Sequence, residues 1–86
     1  MDDRQLTLGE CRVGVNFNPS KNPLVDDIKL RAAGLIDLIE TIKPVYQDDG
    51  LDELTFLGEE LLRLTIIAQN QIESAAMFAV KAATKL

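Results

Sequence analysis

One short stretch of the chain holds most of the residue types that could bind a ligand. Residues 16–23 read Asn-Phe-Asn-Pro-Ser-Lys-Asn-Pro and run directly into a predicted helix that carries Lys29. They place an aromatic ring, small polar groups and a lysine at the helix entrance. Because a helix N-terminus has unpaired N–H groups and a partial positive charge, this entrance suits an anionic ligand such as a phosphate.

The composition argues against most catalytic and metal chemistry. The 86 residues include no histidine and a single cysteine, Cys11, which excludes a Ser-His-Asp triad, a histidine metal site and a disulfide within one chain. We expect Cys11 to be a bystander in a reducing compartment. Neighbouring acids such as Asp26 and Asp27 point in different directions on a helix, so they make no paired acid–base site. We therefore expect no enzymatic activity, no metal and no cofactor.

The charge is distributed unevenly. A net charge of −5 argues against a nucleic-acid polymer as partner, and no apolar run approaches the roughly 20 residues of a membrane span. We expect a soluble protein of the cytoplasm. Residues 36–60 hold eight acidic residues and one lysine, whereas residues 61–86 hold three basic residues and one acidic residue.

An extended N-terminal arm with a ligand loop is predicted over residues 1–22. This segment has no helical period, and Val13, Val15 and Phe17 alternate with polar or small residues, as in a strand. Residues 18–23 contain the Asn-Pro pairs and serine that are typical of turns.

A first helix is predicted to begin at Pro23 with Asn22 as its N-cap, or with Ser20 as the alternative cap. It would run to about Lys43, where Pro44 stops it. Its apolar residues recur every three or four positions, and the predicted inward stripe is Ile28, Ala32, Leu35, Ile39 and Ile42.

A second helix is predicted from residue 51 or 52 to Thr84, although Gly58 leaves a start near residue 59 open. Its predicted inward stripe is Leu54, Leu57, Leu61, Leu64, Ala68, Ile72, Ala75, Ala79 and Ala82. With a short acidic connector, residues 23–86 would form an antiparallel helical hairpin. Both helices are apolar over more than one face, so we expect the surplus to be covered by further copies in a homo-oligomer.

The hairpin would gather positive charge at one end, opposite the acidic connector. The residues collected there are Lys21, Lys29, Arg31, Lys81 and Lys85. Such an end suits a small polyanion. Purely structural roles remain open for the same residues: Lys29 beside nearby aspartates, Phe17 as a plug of the oligomer core, the loop as a simple turn, and Lys81 and Lys85 as cations favoured at a helix C-terminus.

Three segments together resemble the phage anti-CBASS sponge family, which shares a helical-hairpin domain with the anti-Thoeris sponges. They are Val15-Asn16-Phe17-Asn18-Pro19-Ser20; Ile28-Lys29 with Ala32-Ala33 and Leu35-Ile36; and Ile72-Glu73-Ser74-Ala75-Ala76-Met77 with Ala79-Val80-Lys81-Ala82. The resemblance covers residues 13–85, and the order and spacing of the segments carry it.

The resemblance implies a phage protein that sequesters the cyclic oligonucleotides of bacterial CBASS immunity, such as cyclic GMP-AMP, without cleaving them. It also implies a hexamer with cyclic-dinucleotide pockets between subunits and separate cyclic-trinucleotide sites. The implied dinucleotide site consists of Phe17 for base stacking, Lys29 for phosphate, and Asn18, Pro19, Ser20 and Ala33. The weaker, trinucleotide site consists of Lys81, Asn18, Ser20 and Arg31. Lys81 stands where relatives often have arginine, and a lysine lacks the bidentate phosphate contact.

Two other functions are compatible with the sequence. The chain could bind cyclic ADP-ribose, as the anti-Thoeris branch does, or it could be a helical oligomerisation or protein-interaction module without a nucleotide ligand. A competition assay between cyclic oligonucleotides and cyclic ADP-ribose would distinguish the first alternative from the anti-CBASS function. A protein that binds no nucleotide at all would indicate the second alternative.

Overall fold

The computed structural model describes residues 5–42 and 52–86. Within these ranges the regular structure consists of three helices, α1 (Leu8–Val13), α2 (Pro23–Glu40) and α3 (Asp52–Ala83). The all-α prediction is therefore confirmed for the described residues. None of these helices combines the length and apolar character that a membrane span requires.

Helix α1 corrects the prediction of an extended arm over residues 1–22. Its N-cap is Thr7, whose hydroxyl accepts from the backbone N–H of Glu10 at 3.1 Å. The Glu10 carboxylate accepts in return from the N–H of Thr7 at 2.9 Å, which completes a capping box. Gly14 ends the helix in the left-handed region at φ 66°. The extended prediction was wrong here because the alternating residues straddle a helix end and the turn after it.

Helix α2 begins as predicted and ends earlier. Asn22 is its N-cap, with its side-chain oxygen accepting from the N–H of Leu24 at 2.9 Å, and Pro23 is the first helical residue. The helix ends at Glu40 because Thr41 tightens the last turn, donating from both its N–H and its hydroxyl to the carbonyl of Leu38. The predicted stop at Lys43 and Pro44 lies outside the described residues, as does the acidic connector.

Helix α3 begins at Asp52, the earlier of the two predicted starts, and ends at Ala83, one residue before the predicted end. Gly58 is buried and lies within this helix, which is continuous on both sides of it.

Helices α2 and α3 run in opposite directions against each other. The side-chain amide of Asn22 donates to the carbonyl of Ala83 at 3.4 Å, which joins the start of α2 to the end of α3. Further along, the buried amide of Gln69 donates to the carbonyl of Ile36 at 3.1 Å and to the Glu40 carboxylate at 3.0 Å. This pairing brings the loop that precedes α2 next to the last turn of α3.

The buried faces differ from the predicted stripes by one position. On α2 the buried residues are Val25, Lys29, Ala33 and Ile36, and on α3 they include Gly58, Thr65, Gln69, Ala76 and Ala83. Large apolar side chains of the predicted stripes stay exposed instead, among them Leu35, Ile42, Leu57 and Leu64. Hydropathy alone could not identify the inward face, because these helices are apolar on several faces and a lysine and a glutamine occupy the inner one.

The approach of α1 to α2 depends on one glycine. The N–H of Gly9 donates to the Asp37 carboxylate at 2.7 Å. A β-carbon at Gly9 would lie only 2.1 Å from the carbonyl oxygen of Ala33. The backbones of α1 and α2 are therefore in contact at position 9, and any side chain there would prevent this contact.

Candidate functional site

Lys29 occupies the centre of the candidate site. It is on the inner face of α2 and only 7% exposed. Its ammonium donates to the carbonyl oxygen of Gly14 at 3.0 Å and to that of Phe17. Both acceptors lie in the turn that follows α1, so the lysine ties this turn to α2. A buried ammonium is tolerated because it is hydrogen-bonded.

Phe17 lies directly beside this ammonium. The side-chain nitrogen of Lys29 is 5.4 Å from the centre of the Phe17 ring, within the range of a cation–π contact. Phe17 is itself 69% exposed, so most of its ring remains open to solvent. The sequence predicted that these two residues share a site, and the structure brings them together.

Lys29 also faces a groove of about 270 Å³ between the three helices. Most of the groove is apolar, and its two charged residues come from α2 and α3. The lining consists of Val13, Lys29, Glu73, Ala76, Met77 and Val80. Such a mixture of an apolar wall and a few polar groups is typical of small-molecule sites.

One lining residue of this groove, Glu73, forms a salt bridge with α1. The Nε of Arg12 in α1 lies 2.6 Å from the Glu73 carboxylate, and Nη2 of the same guanidinium donates to the side-chain oxygen of Asn70 at 2.7 Å. The pair is partly buried, with side-chain exposures of 22% for Arg12 and 34% for Glu73. It joins α1 to α3.

The loop before α2 is held by its own hydrogen bonds. The amide of Asn18 donates to the carbonyl of Asn22 at 2.9 Å and to the Asp26 carboxylate at 3.0 Å. Its side-chain oxygen accepts from the hydroxyl of Ser20 at 2.7 Å. Lys21 adopts a positive φ of 56°, which completes the turn. The loop is thus preformed, and Pro19 and Ser20 are exposed on its surface.

The remaining predicted site residues are Ala33, Arg31 and Lys81. Ala33 is 2% exposed and lies beneath Gly9, where it packs between α1 and α2. Arg31 is exposed and pairs with Asp27 at 3.2 Å. Lys81 is exposed in the last turn of α3.

Sequence reasoning missed Arg12, Glu73 and Val13 as parts of the site. All three matter only once α1 is helical and lies against α3. The signal that could have identified α1 was present: Thr7 and Glu10 have the spacing of a capping box. Among the described residues, no group of three His, Cys, Asp or Glu could hold a metal ion.

Three comparisons with known proteins found no match for this chain. The chain matches no protein-family model, no curated protein and no solved structure.

Proposed function

We propose that this protein binds and sequesters cyclic di- and trinucleotide second messengers, as the resemblance to the phage anti-CBASS sponges implies. It would act in the cytoplasm of the infected bacterium and hold the signal without cleaving it. One observation carries the proposal: an exposed aromatic ring lies 5.4 Å from a buried ammonium that also lines a groove. A cyclic nucleotide needs a stacking surface and a fixed positive charge, and this arrangement offers both.

Phe17 and Lys29 would contact different parts of the nucleotide. A base would stack on the open face of Phe17, an interaction that contributes about 1–3 kcal/mol per base. A phosphate would accept the third N–H of Lys29, since Gly14 and Phe17 take the other two. The bonded carbonyls fix the ammonium in place, so little side-chain entropy is lost on binding.

Oligomerisation is part of the proposal, and further copies of this chain are the partner. Several large apolar side chains on α2, on α3 and just after α2 are at least 45% exposed, among them Leu35, Leu38, Ile42, Leu57, Leu64, Met77 and Phe78. Exposed apolar side chains that cluster on a protein surface are typical of interaction sites. A hexamer of helical hairpins would bury these faces and bring several dinucleotide pockets together.

A second, trinucleotide site is proposed at Lys81, Asn18, Ser20 and Arg31. The contact between Asn22 and Ala83 supports it, because it places the loop of Asn18 and Ser20 next to the α3 turn that contains Lys81. This site is the weaker of the two, since Lys81 offers a point charge and Arg31 is already paired with Asp27.

Native mass spectrometry with cyclic GMP-AMP tests assembly and binding together. A hexamer that gains intact ligand masses in discrete, saturable steps supports the proposal, and chromatography should recover the nucleotide unchanged. A cleaved product would instead identify a nuclease. Parallel samples with a cyclic trinucleotide and with cyclic ADP-ribose identify the preferred signal. An oligomer that binds none of them contradicts the proposal and favours a protein-interaction module.

Calorimetry on variants tests the site itself. Lys29→Ala should weaken cyclic GMP-AMP binding at least tenfold, about 1.4 kcal/mol, while the oligomer persists. Phe17→Ala should weaken it by a similar factor with little loss of stability, because the ring is mostly exposed. Arg63→Ala is the matched control, since Arg63 pairs only with Glu60 on the exposed surface of α3 among the described residues. Unchanged affinity in Lys29→Ala would exclude the assigned role.

A further inference from the structure

Glu73 presents an electrostatic problem for any anion that binds in the groove. Its side chain lines the same groove as Lys29. A phosphate that reaches the Lys29 ammonium is therefore also brought near the negatively charged carboxylate of Glu73. In a partly buried site this repulsion is screened less than in water.

We infer that Arg12 is a positioning residue for the ligand because it neutralises Glu73. This inference rests on the proposed function. The guanidinium holds the Glu73 carboxylate at 2.6 Å, and its Nη2 donates to the side-chain oxygen of Asn70 on the same helix. The pair leaves Lys29 as the uncompensated charge of the groove, so the lining as a whole favours an anion.

Arg12 also attaches α1 to α3, and the two roles predict different results. If attachment is what matters, removing either partner weakens binding, and removing both gives no recovery. If neutralisation is what matters, Arg12→Ala weakens binding because Glu73 is left uncompensated. Glu73→Gln then does no harm, since the amide leaves no negative charge in the groove, and it restores binding when combined with Arg12→Ala.

The test is calorimetric titration of cyclic GMP-AMP into the full chain and four variants: Arg12→Ala, Arg12→Lys, Glu73→Gln and the double variant Arg12→Ala/Glu73→Gln. We expect Arg12→Ala to bind about tenfold more weakly and Arg12→Lys to keep most of the affinity. Glu73→Gln should bind as tightly as the wild type or more tightly. The double variant should recover to within about threefold of the wild type.

Two results overturn the inference alone: a double variant as weak as Arg12→Ala, or a Glu73→Gln variant as weak as Arg12→Ala while the wild type binds. If Arg12→Ala fails to fold, the Glu73→Gln arm still tests the inference, because binding clearly weaker than that of the wild type would show that the carboxylate supports binding and does not oppose it. A wild-type protein that binds no cyclic nucleotide overturns the proposed function and the inference together. Arg63→Ala, which removes an arginine ten residues along α3 from Glu73, controls for the loss of any positive charge.

Discussion

The side-chain nitrogen of Lys29 lies 3.0 Å from the carbonyl oxygen of Gly14, fifteen positions earlier in the chain. The contact makes a lysine on the inner face of α2 the C-terminal anchor of α1. The same ammonium faces the groove and the Phe17 ring. The proposed binding chemistry and the position of the loop therefore depend on one side chain.

Lys29→Ala should accordingly lower stability as well as affinity. The substitution removes two hydrogen bonds from a charged donor, which should lower the free energy of unfolding by about 1–3 kcal/mol. The Gly14 carbonyl still accepts from the N–H of Phe17, whereas the Phe17 carbonyl loses its bond from Lys29. Lys85→Ala is the control, because Lys85 is exposed and its loss should change stability by less than about 0.5 kcal/mol. Urea unfolding at one fixed protein concentration measures both. Equal stabilities for the two variants would contradict the anchoring role.

Alanine substitutions at Gly9 and Gly34 test how α1 packs on α2, with Gly34 as the matched control. An alanine at Gly9 would place its β-carbon 2.1 Å from the Ala33 carbonyl oxygen, so α1 must move, at a cost of roughly 1–3 kcal/mol. An alanine at Gly34 meets nothing within 4 Å and should stabilise α2 by up to about 1 kcal/mol. Thermal or urea unfolding of both variants checks the opposite signs. A Gly9→Ala variant as stable as the wild type would mean that α1 does not lie where the structure places it.

Asn22 has two separable functions at the start of α2. Its oxygen caps the helix, and its amide donates to Ala83. Asn22→Ala removes both and should cost about 1–2 kcal/mol, whereas Asn22→Asp keeps the cap and loses only the donor. We expect the aspartate variant to lie between the wild type and the alanine variant in unfolding free energy. An aspartate variant no more stable than the alanine variant would contradict the capping role of the Asn22 side chain.

The surface pair Glu60–Arg63 makes a prediction for pH. Hydrogen bonds from Arg63 are the main cause that lowers the pKa of Glu60 below its ordinary value of 4.5. Because the pKa is lowered in the folded state, the small stabilisation from this pair is present above pH 4.5 and is lost as the pH falls through the lower folded value. An NMR titration should give Glu60 a lower midpoint in the wild type than in Arg63→Ala. Identical midpoints would contradict the pairing.

The start of α2 was predictable because its signal is local. Asn22 and Pro23 are a cap and a first helical residue in sequence as in structure. The capping box of α1 is equally local, but the alternation of Val13, Val15 and Phe17 suggested a strand and masked it. Local signals therefore sufficed for the start of α2 and failed for α1, where two of them overlapped.

The inner faces were not predictable, because the reasons are tertiary. Hydropathy places lysine and glutamine outside, yet Lys29 and Gln69 are buried at 7% and 1% exposure. Their partners are backbone carbonyls of Gly14 and Ile36, which come close only in the fold. Phe17 and Lys29 were expected together through a family resemblance, whereas Arg12 and Glu73 needed the position of α1.

Helix α1 has six residues, and an isolated helix shorter than about 12–15 residues is marginal in water. Its order comes from Asp37, Lys29 and Glu73, all distant in sequence. We therefore expect it to form on a surface that α2 and α3 have already made. Since Val13 is one wall of the groove, partial unfolding of α1 would abolish the groove while the long helices stay intact.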